Sequence, residues 1–216
     1  MHHKKLLEAH GAFYRKELRA NNYDTYMWKK KDWTKWDSPT LSIDEIEKLF
    51  RFIRSWDRFF KGDPARFQQI YTQIYPVIDK LKAERIEDAD FTNEKLKTAI
   101  KDVFNKVADC TSIGRYESTD ASKILHTILP NFFVMWDDRI KNWMVEGEYG
   151  GATYAFDFLS KVQRELEEAI STCMTERKLT RTEAVAYIRE ENGGQTLAKL
   201  ADEYNYVKYT MRYQPL

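Results

Sequence analysis

Glycine and proline are scarce in this 216-residue sequence, at eight and five, while aromatic residues make up 14%. A β-sandwich or barrel needs many turn-linked short strands, so the scarcity weighs against one and favours long helices. Cysteine is scarcer still. Cys110 and Cys173 stand far apart with no CxxC or Cys/His spacing, which leaves no disulfide framework or cysteine-ligated metal site and reads as two buried, reduced thiols. No HExxH or comparable ligand spacing occurs, and nothing in the sequence asks for a metal or a cofactor. No apolar run approaches the ~20 residues that a membrane helix requires, and no charged-then-apolar leader is present. The expectation is a soluble, cytoplasmic protein without a membrane partner. An excess of one charge is missing too: 35 lysines and arginines face 34 aspartates and glutamates. No global field would hold such a chain on DNA, so any polyanion contact must be local.

What is present is helical periodicity. Apolar residues make up 43% of the chain, enough to bury a real core. Leu6, Leu7, His10, Phe13, Tyr14 and Leu18 share one helical face. Ser42 and Glu45 are spaced as a capping box ahead of Ile46, Leu49, Phe50, Ile53, Trp56 and Phe60. Asp63 and Pro64 read as an N-cap and first helical residue, and Pro76 is expected to kink or divide the helix that follows. Further helices are expected through Leu96–Val107, Phe158–Ile170, after the capping box Thr180–Glu183, and around Leu197–Ala201. The prediction is a single all-α domain over residues 1–216, with Ile53, Phe67, Ile74, Ile100, Phe104, Leu125, Leu159 and Val162 buried. Residues 21–40 lose the period and are expected to be an irregular aromatic and basic segment packed on the body.

Within that segment Lys29, Lys30, Lys31 and Lys35 alternate with Trp28, Trp33 and Trp36. The mixture suits phosphate charge and base stacking, and nominates Lys29, Lys30, Lys31, Trp33 and Lys35 as a nucleic-acid contact. Solvated lysines with tryptophans pinning the segment to the core give the same pattern.

The most informative stretch is "ASKILHTILPNFFVMWDDRI", Ala121 to Ile140. It places Lys123 at the head of a short apolar helix, breaks at Pro130, runs apolar from Phe132 to Trp136, and restarts at Asp137. The order of helix, lysine, apolar turn and aspartate resembles the second half of the helix-hairpin-helix (HhH-GPD) DNA glycosylases. In that family a glycine-bearing hairpin leads into a helix whose first turn carries lysine in bifunctional members. A V-D-x-H-V motif then starts the next helix with a catalytic aspartate. Lys123 matches the lysine and Asp137, in "MWDDRI", the aspartate. Ser118 to Ser122 stand in place of the glycine hairpin, and Arg139 stands where histidine is frequent.

The resemblance implies an all-α glycosylase-like fold, DNA as partner, and N-glycosidic cleavage with a lysine Schiff base. Chemistry gives a parallel reason: a carboxylate stabilises the positive charge building on the sugar, while a deprotonated amine can attack C1′. Phe132, Phe133 and Trp136 would wall the site and, with Arg139, meet an extruded base. Plainer roles fit the same residues. Asp137 or Asp138 can simply cap a helix, Lys123 can be an idle first-turn lysine, Phe132–Trp136 can fill the core, and His126 can be a packed core histidine. A non-enzymatic helical module that binds nucleic acid or a protein is the alternative.

Overall fold

In the computed structural model the described residues are 1–29, 36–111 and 114–213, with only the backbone for Trp28 and Lys29. They form ten α-helices and no strand beyond one isolated bridge between Gly62 and Thr111. The helices are α1 (His3–Lys16), α2 (Ala20–Asp24), α3 (Ile43–Trp56), α4 (Pro64–Leu81), α5 (Glu94–Ala108), α6 (Ser118–Ile128), α7 (Asp138–Met144), α8 (Leu159–Arg177), α9 (Arg181–Glu190) and α10 (Leu197–Asn205). Three π-helical turns adjoin them: Thr25–Lys29 after α2, Thr153–Phe158 before α8, and Tyr206–Thr210 after α10.

Local sequence explains most boundaries. Both capping boxes form, Ser42 with Glu45 and Thr180 with Glu183, each satisfying two otherwise orphaned helix-end donors. Asp63 caps α4 with Pro64 at its first position. Pro76 neither ends nor divides α4, which runs on to Leu81. All eight residues expected in the core are at most 1% exposed. Leu18 is 96% exposed because α1 stops at Lys16, two residues before it. Residues 21–29 are helical rather than irregular. Trp36 is buried against Tyr71, whose hydroxyl donates to the Trp36 carbonyl at 3.2 Å.

Two helices lie at the centre. Every residue of α10 is buried, and α6 exposes only Thr119 and Lys123 in part. α1 packs on α10 and α8, while α6 packs between α5 and α3. A helix enclosed all round is normally apolar, yet α10 carries Lys199, Asp202, Glu203 and Asn205 inward. The Lys199 ammonium is 2.7 Å from Asp202 and 3.7 Å from Glu203, with Phe13, Tyr23 and Trp56 rings around it at 4.6, 4.5 and 5.9 Å. Burial alone would lower its pKa, but the two carboxylates outweigh burial and raise it. No described helix is long and apolar enough to cross a membrane, and both cysteines are free and buried.

Candidate active site

Lys123 sits one turn into α6 because Ser118–Ile128 presents its apolar positions to α3 and α5, leaving residue 123 at the edge of the buried face. Asp137 stands just before α7. Its Oδ1 accepts the Ile140 backbone N–H at 2.8 Å, and its Oδ2 accepts the Thr210 hydroxyl from the C-terminal π turn. The N-cap role and the pocket position therefore coexist. Ser122 ties the two elements together: its Oγ accepts the Trp136 backbone N–H at 3.1 Å and donates to the Thr119 carbonyl at 2.7 Å.

Between these elements lies a small recess of about 60 Å³. Lys123 and Asp137 both line it, with Asp202 and the rings of Phe13, Phe52, Trp56, Trp136 and Tyr206. Phe13 and Trp56 lie parallel, 5° apart with centroids 6.3 Å apart, and Tyr206 meets Phe13 edge-on at 5.7 Å. The Trp56 indole N–H is buried and meets no acceptor among the described residues. A buried donor without a partner costs roughly 1–3 kcal/mol.

The lysine and the aspartate share the recess without forming an ion pair. The Lys123 ammonium donates instead to Asp120 at 3.0 Å and lies 3.8 Å from Asp57. Burial pushes the Asp120 carboxyl up to about 6, with Lys123 opposing that rise. Asp202 is raised as well, by burial against the pull of Lys199. Asp138 is exposed and paired with Lys141 at 2.7 Å, and that hydrogen bond holds its carboxyl below the usual range.

The other sequence-nominated residues are divided. Trp136 walls the recess and donates its indole N–H to the Ser118 carbonyl at 3.0 Å. Phe132 and Phe133 are fully buried away from it, Phe132 near Phe91 and Phe133 near Tyr154, so they fill the core and are not placed to stack on a ligand. Arg139 is exposed and donates to the Thr210 carbonyl at 2.7 Å. Lys30, Lys31, Trp33 and Lys35 lie outside the described residues, as does the side chain of Lys29. His126 is a core residue: its Nδ1–H donates to the Phe133 carbonyl at 2.6 Å. Its Nε2 is therefore the bare nitrogen and accepts the Tyr23 hydroxyl at 2.7 Å. Burial lowers its pKa to about 3, so it is neutral near pH 7.

Sequence reasoning missed Asp57, Asp120, Asp202, Phe13, Trp56 and Tyr206. Lys199, Asp202 and Glu203 follow i, i+3, i+4 spacing, which is also the signature of a solvated helix face. No protein-family model, curated protein or solved structure matches the chain.

Proposed function

We propose that this chain cleaves N-glycosidic bonds in nucleotides extruded from DNA, with Lys123 as nucleophile and Asp137 facing the sugar. The observation that carries the reading is the shared recess: two side chains 14 positions apart in sequence open onto one aromatic-walled hollow. Asp120 is placed to take the ammonium proton. The freed amine then forms a bond to C1′ as the C1′–base bond breaks, its electron pair leaving with the base. Opening of the sugar ring gives a lysine imine. The Asp137 carboxylate, fixed by its two hydrogen bonds, would stabilise the positive charge on the sugar without first having to reorganise. Trp56 supplies an aromatic face for the departing base.

The recess is far smaller than the roughly 300–1,000 Å³ of ligand pockets, so an extruded nucleotide has to part its wall. Met135, unbranched and half-buried, is the softest member of that wall. The same narrowness, with Lys123 already paired to Asp120, favours a second reading as a non-enzymatic helical module.

Base release from a panel of duplexes, each carrying one damaged or mismatched base, separates the two. On the enzymatic reading at least one duplex is processed, and Lys123→Gln abolishes strand incision. Asp137→Asn slows base release by roughly 10²–10³, the range for losing one electrostatic partner. Asp138→Asn stays near wild type, because that carboxylate points to solvent and Lys141. A panel with no processed duplex leaves the module reading in place.

A further inference from the structure

A second cluster lies away from the recess, where the first turn of α1 meets the last turn of α8. His2 Nε2 is 2.6 Å from Glu176 Oε1, and His3 Nε2 is 3.9 Å from Glu176 Oε2. The three ligand atoms lie within 4.8 Å of one another. His3 is fully buried, and its Nε2 has no hydrogen-bond partner among the described residues.

The tautomer of His3 follows from its other nitrogen. The Thr172 hydroxyl donates to the Ala169 carbonyl at 2.9 Å, a group that can only accept. The 3.3 Å contact between His3 Nδ1 and Thr172 Oγ1 therefore has Nδ1–H as its donor. In the neutral ring Nε2 is then a bare lone pair, and it faces a carboxylate. Two acceptors pointed at each other repel unless a cation stands between them. An imidazole whose far N–H is held by a second residue is also the usual state of a metal-bound histidine.

We propose that His2, His3 and Glu176 form a binding site for a divalent transition ion of the zinc, nickel or cobalt class. Two imidazoles and a carboxylate suit such ions better than magnesium or calcium, which prefer oxygen alone. Ligand atoms about 2.0–2.1 Å from a tetrahedral zinc lie about 3.3–3.4 Å apart. From 3.9 Å, His3 and Glu176 have to close by about half an ångström; from 2.6 Å, His2 and Glu176 have to open by roughly 0.7 Å; and the three ligand atoms, now within 4.8 Å of one another, have to draw in to that spacing. The side chains of His2 and Glu176, 35% and 36% exposed, leave an entry path and a fourth position for water. Two local bonds give way. Lys4, whose ammonium is 2.8 Å from Glu176 Oε2, swings into solvent, and the Nε2 proton of His2 moves to Nδ1, which gives up the 3.3 Å cap from the Lys4 backbone N–H. An ion held there staples α1 to α8.

Titration calorimetry with zinc chloride, together with visible absorption on adding cobalt, tests this on the full chain. The expected result is one zinc per chain, no heat with magnesium, and a rise in melting temperature with zinc. Glu176→Gln and His2→Asn, the latter keeping a capping side chain, should each weaken zinc binding at least tenfold. Lys4→Gln should bind as tightly as wild type or more so, because it removes the competing cation. Absence of stoichiometric zinc binding, or wild-type affinity in both Glu176→Gln and His2→Asn, overturns the proposal.

Discussion

Asp120 and His126 are a buried acid and a buried base whose pKa values burial moves in opposite directions, and each makes a separate prediction. The Asp120 carboxyl is raised from its ordinary 3.8 to about 6, so the folded chain holds a proton there that the unfolded chain has lost. A raised folded pKa gives stability that is complete below about pH 4 and lost as pH rises through about 6. Thermal unfolding between pH 4 and 8 should therefore show wild type losing stability relative to Asp120→Asn across that window. By linkage the relative loss is at most roughly 3 kcal/mol, and a flat difference contradicts it. Tyr23→Phe leaves His126 Nε2 without its donor and should cost roughly 1–3 kcal/mol at neutral pH, checked by urea denaturation. Asp137 was legible in the sequence as a helix start beside an apolar turn, whereas Lys123, expected at the head of its helix, stands a full turn inside α6 because that helix begins at Ser118. Lys199 and Asp202 were not legible, since spacing alone does not reveal whether a charged helical face meets water or a core.

At the level of elements, the helices with strong caps and a clear apolar stripe, such as α3, α4 and α9, were legible from sequence. The helical turns over residues 20–29 were not, because Tyr23, Thr25, Tyr26 and Trp28 are weak helix formers. That segment is held by tertiary contacts, with Tyr23 bonded to His126 and Asp24 accepting from Tyr14 and Gln195. The turn before α8 rests on a close approach that only glycine allows. The Gly151 N–H donates to Asn105 Oδ1 at 2.8 Å. A Cβ there would press on the Lys101 carbonyl and stand 2.7 Å from Asn105 Oδ1. At Gly150 the nearest atom would be 3.6 Å away. Gly151→Ala should therefore destabilise by roughly 1–3 kcal/mol, as overpacking does, while Gly150→Ala changes little. Equal melting temperatures for the two variants would show that α5 yields.

For the molecule as a whole, the all-helical architecture follows from apolar periodicity, but the recess depends on chain segments that no local pattern links. Phe13 arrives from α1, Trp56 from α3, Asp202 from α10 and Tyr206 from the turn beyond it. Only the packing of α1 and α3 around the two central helices brings them to Lys123 and Asp137. The central claim is that this assembled hollow makes Lys123 a nucleophile toward the sugar of an extruded nucleotide. Borohydride trapping on damaged-base and abasic duplexes, followed by peptide mapping of the adduct, tests it most directly. The account predicts a covalent protein–DNA species whose reduced linkage maps to Lys123 and which is absent from Lys123→Gln. An adduct mapping to another lysine, or no adduct on any duplex, would contradict it.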